Sequence, residues 1–186
     1  MKRLITAAVA LGVILASSSR MTAQNATLAG DVLKDWRAQK TTMMRIADAM
    51  PEDKFGFRST PAQRSWGEQV LHVAGGNIFL MGYLKGKTAP PLSVNTGDMT
   101  VFGLKATSKA DYLKALSDSF DFGESLIKEF NEQELVQTIA GPPWMGPSTR
   151  VRMVYDAVAH CQDIYGQMAV YLRLNGIVPP ASRRGV

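Results

Sequence analysis

"TRVRMVYDAVAHCQDIYGQMAVYLRLNG", residues 149–176, is the stretch whose reading decides the fold. Met153, Ala157, His160, Ile164, Gln167, Tyr171 and Leu174 recur at alternating steps of four and three residues, which places them on one face of an α-helix. Gly176 is a natural C-terminal stop. A helix of this length with one apolar face has to bury that face against other helices.

The rest of the chain supplies those partners. Leu28, Val32, Trp36, Gln39, Met43, Ile46 and Met50 form a second stripe, which predicts a helix from about Thr27 to Met50, stopped by Pro51. Ser65-Trp66-Gly67-Glu68 reads as a capping box opening a further helix, "VLHVAGGNIFLMGYL", apolar almost all round. Gly75, Gly76 and Gly82 each weaken that helix by roughly 1 kcal/mol, so close approach of a neighbouring element is expected there. A second capping box, Ser108 to Asp111, opens a helix carrying Tyr112, Leu116, Phe120, Gly123, Ile127 and Phe130 on one face. The segment 86–106, rich in glycine and proline, reads as a long loop, and "GPPWMGPS" as a connector. No strand signal, internal repeat or low-complexity tract stands out. The expectation is all-α, a four-helix bundle with a long crossover loop between its second and third helices.

At the N-terminus Met1-Lys2-Arg3 precedes an apolar run from Leu4 to Ala16 and a small, polar stretch from Ser17 to Ser19. This is the pattern of a secretory signal peptide over residues 1–23, cleaved after Ala23, with the bundle domain in 24–186. An exported protein, periplasmic or extracellular, is expected, with no stable membrane span after processing, because the apolar run is shorter than the roughly 20 residues a spanning helix needs. Removing the segment takes away Lys2, Arg3 and Arg20 and no acid, so most of the +5 formal charge goes with it. That leaves no basic footprint for a nucleic acid. The single cysteine, Cys161, cannot form an internal disulfide, and its mid-helix position suits a buried structural thiol.

The chain has two histidines, His72 and His160, each on a core-facing helix. A buried imidazole needs a partner. Either each finds its own side chain or carbonyl, or both point at one spot where a divalent metal would satisfy them together. A ligand pair on one helix wants positions i and i+4. From His160 that position is Ile164, which donates nothing, while Asp156 at i−4 and Asp163 at i+3 offer oxygens. Glu68 lies one turn before His72, although capping explains it already. Trp66, Phe79, Trp144 and Tyr165 could line a nearby pocket. There is no Glu-x-x-His pair, Cys-x-x-Cys-His, G-x-S-x-G or P-loop, which argues against a di-iron centre, covalent haem, a serine-hydrolase elbow and a phosphate-binding loop.

"SWGEQVLHVAGGNIFL" (65–80) and "AHCQDIYGQMAVYLRLNGIVPPASR" (159–183), with Tyr165-Gly166-Gln167 the most specific part, resemble the DinB-like (damage-inducible, DinB/YfiT-like) superfamily of four-helix bundles. The resemblance implies an up-down-down-up bundle. It also implies a divalent metal, such as zinc, nickel or manganese, held by one histidine of the second helix and two of the fourth. Those positions fall on His72, His160 and Ile164, so the triad is degenerate and Asp163 becomes the candidate third ligand. Asp163 is one residue short of the matching position, about 100° around the helix, and would serve only with a shift of the site. Relatives with the full triad imply metal-dependent thiol transferases or hydrolases, with Gln167 or Tyr165 orienting a ligand. The alternative is a non-catalytic bundle that has lost the metal and binds a small molecule in its cavity or serves as a structural partner, in that case as a homodimer.

Overall fold

The computed structural model describes residues 26–183, and the expected signal segment, residues 1–23, lies outside the described residues. Four long helices carry the architecture: α1 (Leu28–Asp48), α2 (Trp66–Gly82), α3 (Lys109–Lys128) and α5 (Arg150–Leu174). Between the last two lie a single-turn α4 (Glu132–Leu135) and two three-residue strands, β1 (Thr138–Ala140) and β2 (Pro147–Thr149). The ends of the long helices follow the side chains that cap them. Thr27 accepts from the Gly30 amide, Thr149 from the Arg152 amide, and both expected capping boxes, Ser65–Glu68 and Ser108–Asp111, are closed in both directions.

The contacts between helices fix their directions. Arg37 pairs with Glu124, Lys40 with Asp121 and Lys109 with Asp48, so α1 and α3 are antiparallel. His72 meets His160 while Leu84 meets Arg150, so α2 and α5 are antiparallel as well. Asp35 bonds Tyr155 and Gln39 bonds Gln162, which makes α1 and α5 parallel. The bundle therefore runs up-down-down-up. α1 and α2 each pack mainly on α3 and α5 and stand on opposite corners. Because α2 and α3 point the same way, residues 83–108 have to travel back along the bundle before α3 can start. That crossover is the expected long loop, somewhat longer than residues 86–106 suggested.

The expectation of no strands needs correction. β1 and β2 form an antiparallel pair, with Thr138 opposite Thr149 and Ala140 opposite Pro147. Three residues are too few for a periodic signal. Within the connector between them, Gly146 takes a left-handed conformation at φ 66°.

The core centres on Trp36 and Trp66, both without solvent exposure. Each indole N–H reaches a carbonyl across a helix contact, Trp36 to Phe120 at 2.8 Å and Trp66 to Ala47 at 3.3 Å. No described helix is long and apolar enough to cross a membrane.

Gly123 on α3 lets the Trp36 ring lie directly on the helix backbone, where any Cβ would collide with the indole. Gly166 on α5 has open space around it. Gly123→Ala is therefore expected to lower unfolding free energy by about 1–3 kcal/mol despite alanine's better helix propensity. Gly166→Ala should raise it by about 1 kcal/mol. Urea denaturation of the two variants checks both signs.

Candidate functional site: a histidine pair under the crossover loop

α2 carries His72 and α5 carries His160 to the same point. Their Nε2 atoms stand 2.9 Å apart, with the rings tilted by 58°. Two glycines make room. The ring of His160 rests on Gly76, where a Cβ would lie 2.6 Å from its Cε1, and Phe102 rests on Gly75 in the same manner. The close approach expected at Gly75 and Gly76 is thus supplied by a side chain of the site and one of the crossover. Phe102 holds a left-handed backbone at φ 55°, strained for a bulky residue, and its ring packs on His72 with centroids 5.5 Å apart.

Hydrogen bonding fixes the tautomers. His72 Nδ1 lies 3.1 Å from the Thr100 carbonyl, which can only accept, so Nδ1 carries the hydrogen and Nε2 is bare. His160 Nε2–H then donates to His72 Nε2. This leaves His160 Nδ1 buried with no partner. The Thr100 carbonyl is held in place from behind, because Arg64 Nε donates to it at 3.0 Å. The turn that presents it is built by Asp98, whose carboxylate accepts from the Thr100, Val101 and Gly103 amides. Those backbone bonds, the Thr100 amide first, hold its carboxyl below the usual range.

Asp163 shares the wall of the cavity with both histidines, and Asp156 lies on it too. Gln167 Nε2 donates to Asp163 at 3.1 Å, and Gln69 Nε2 donates to Gln167 at 2.8 Å, so two amides in series orient the carboxylate. Ile164 points elsewhere. It is 2% exposed and packs in the main core. Among the described residues, no three His, Cys, Asp or Glu side chains converge closely enough to cage a metal ion.

The cavity measures about 390 Å³, and Phe79, Leu80, Met99, Phe102 and Trp144 supply its apolar walls. Trp144 is 62% exposed, stacks near Phe79 with centroids 5.9 Å apart, and brings the connector before α5 over the opening. Of the four aromatic candidates, Phe79 and Trp144 line this cavity. Trp66 is in the core, and Tyr165 sits with Thr41 and Pro180 in a small recess elsewhere. Glu68 is occupied as the capping residue and by Arg58. Cys161 is fully buried, burial pushes its thiol pKa up, and Sγ donates to Asn77 Oδ1, which fits a structural thiol. Thr100, Phe102, Asp98, Gln69 and Arg64 complete the site. For Asp98, Thr100 and Phe102 the sequence offered only one hint, a Gly/Pro-punctuated loop long enough to fold back, and for Gln69 and Arg64 it offered none.

Burial, then the neighbouring His160 and Arg64, depress the His72 pKa to about 4. Burial also lowers that of His160, against an opposing pull from Asp163. Both imidazoles are neutral at pH 7, which suits a pair sharing one hydrogen.

Comparison with known proteins follows the same lines. The family model described as the DinB superfamily matches residues 36–168. Among the solved structures that share the fold are two DinB-like proteins. One is a DinB-like protein of Bacillus cereus, 17% identical over 83% of this chain and 96% of that one, with a TM-score of 0.68. The other is a DinB-like protein of Bacillus subtilis, 15% identical over 83% and 99%, with a TM-score of 0.61. No curated protein sequence gives a significant match.

The depressed pKa sets a pH dependence. Unfolded His72 takes up a proton near pH 6.5 and the folded one only near 4, so stability is lost as pH falls through that window. The loss attributable to His72 in the metal-free protein is of order 3 kcal/mol. Thermal melts at pH 7.5, 5.5 and 4 should show it, and His72→Phe should flatten that part of the curve. An NMR titration placing the His72 midpoint at or above 6.5 would contradict the assignment.

Proposed function

The chain belongs to the DinB superfamily, and on that premise we propose that it is an exported protein whose His72–His160 cavity takes up a divalent metal ion. The ligands would be Nε2 of both histidines with Asp163 as third donor. The observation that carries the reading is the convergence of two imidazole Nε2 atoms to 2.9 Å at the floor of a cavity whose wall holds a carboxylate. The donor set fits zinc, nickel or manganese, since imidazole and carboxylate together suit all three.

Two features of the chain support the fit. The Thr100 carbonyl keeps the hydrogen of His72 on Nδ1, so its Nε2 is free to donate an electron pair. The Gln69–Gln167 relay holds the Asp163 carboxylate on the cavity side of α5. Against them, His160 would have to move its hydrogen from Nε2 to Nδ1, a buried atom with no acceptor beside it. A bound divalent ion would supply Lewis acidity toward a water or a thiolate, the chemistry of metal-dependent thiol transferases and hydrolases. With Ile164 buried in the core in place of a third imidazole, binding is weaker than in a three-histidine site.

A second reading rests on its own observation. Each Nε2 already satisfies the other, and the walls are largely apolar rings, so the cavity can hold a small organic molecule with no metal at all.

Residues 24–186, purified without chelator or affinity metal and dialysed against zinc, nickel or manganese, decide between the two. The expected result is close to one metal per chain by elemental analysis, abolished by His72→Ala and by His160→Ala. Asp163→Asn should weaken binding at least tenfold. Ile164→His, at a position turned into the core, should leave metal binding unchanged while lowering metal-free stability by about 1–3 kcal/mol through burial of a polar ring. No bound metal under any of these conditions would sink the metal reading and leave the organic ligand.

A further inference from the structure

A second cavity, of about 470 Å³, opens at the C-terminal end of α2, between that helix, α3 and the first part of the crossover. Its volume falls in the range of about 300–1,000 Å³ usual for small-molecule sites. Ile78, Phe79, Phe122, Leu126 and Val94 make the interior, and Lys85 stands at the rim. It shares only Phe79 with the lining of the histidine cavity.

Two residues of this cavity are ones the fold itself does not ask for. Gly82 is the last residue of α2, and a Cβ built on it meets no atom within 4 Å. Its φ is not positive, so neither close packing nor backbone geometry calls for glycine. Gly82 is part of the cavity lining and adds no side chain to it. Three residues on, Lys85 adopts φ 57°, a left-handed conformation that glycine would hold without strain. Lysine there places an ammonium group at the mouth. It makes no ion pair among the described residues, and its Nζ lies 5.8 Å from the Tyr83 ring centroid. The rim itself is fixed independently. Glu129 accepts from the Lys87 and Thr88 amides and the Thr88 hydroxyl, so the nearby carboxylate is committed to the loop.

We propose that this cavity binds a single-chain amphiphile with an acid head, of the fatty-acid class. The alkyl chain lies against Ile78, Phe122 and Leu126 in the space left open at Gly82. The carboxylate meets the Lys85 ammonium at the rim. An unpaired cation above an apolar cleft selects this chemistry over a neutral lipid or a cation.

Isothermal titration of residues 24–186 with decanoate and with decanol, both below aggregation, tests the assignment. Decanoate should bind one to one, with decanol at least fivefold weaker. Lys85→Gln should bring decanoate down to the level of decanol. Gly82→Leu, whose side chain has room, should weaken both ligands at least tenfold without lowering the melting temperature. Amide shifts on decanoate binding should concentrate at residues 82–94 and 122–126. Absence of decanoate binding, an affinity insensitive to Lys85→Gln or to Gly82→Leu, or shifts centred on His72 and His160 would each overturn the proposal. The test uses no metal, so its failure leaves the reading of the histidine site untouched.

Discussion

α2 and α3 run in the same direction, and most of what is particular to this molecule follows from that constraint. Two parallel neighbours cannot be joined by a tight turn, so the chain has to come back along the length of the bundle. The returning segment has no helix or strand in which to pair its amides. Side-chain carboxylates take their place. Glu129 ties down Lys87 and Thr88 near the start, and Asp98 ties Thr100, Val101 and Gly103 near the end. Pinned at these points, the crossover lies over α2 and becomes a wall. Met99 and Phe102 close one side of the histidine cavity, and Thr88, Pro90 and Val94 close one side of the other. Both cavities exist because a loop covers α2.

Polar atoms inside the bundle set how α5 is rotated. α2 is buried on nearly every side, so its apolar residues alone would tolerate several rotations of a partner helix. Three bonded contacts choose one. Cys161 donates to Asn77, and Asn77 donates to Ser119, which joins α5, α2 and α3 through the centre. Gln69 donates to Gln167 six residues further along α5. Buried polar groups demand their partners, so such contacts specify register more sharply than methyl packing does. With residues 161 and 167 held in this way, His160 and Asp163 face the cavity while Ile164 turns into the core. The one-residue offset between aspartate and isoleucine therefore decides which donor the cavity receives.

How much of this could be read from the chain alone depends on whether the signal was local. The long helices were legible because their stripes and caps are local: Ser65 with Glu68, Ser108 with Asp111, Gly176 after Leu174. The two histidines were legible as a pair because each sat on a core stripe and the chain had no others. Asp163 was legible as a candidate donor three residues after His160, although one residue off the position of Ile164. Measured from His160 it is one turn on, and it lies on the same wall of the cavity as His160. Thr100 and Phe102 were not legible, because a backbone carbonyl in a loop and a strained φ leave no periodic trace. The three-residue strands escaped for the same reason. Gly82 was misread in a useful way. Like Gly75 and Gly76 it was expected to admit a neighbour, and it admits none.

The local costs around His160 bear directly on the proposed site. Glycine inside a helix destabilises it by roughly 1 kcal/mol relative to alanine, and α2 has two in succession at this level. One lets the imidazole of His160 reach His72, and the other admits Phe102, itself in a left-handed conformation. His160 Nδ1 is buried without a partner, a further penalty of about 1–3 kcal/mol. Strain gathered on one spot, beside an oriented carboxylate and under an exposed tryptophan, is what the proposed ligand would have to offset. The orphan nitrogen belongs to the same logic. It is the atom to which His160 can shift its hydrogen, and that shift is what would turn two imidazoles bonded to each other into two donors aimed at a third group.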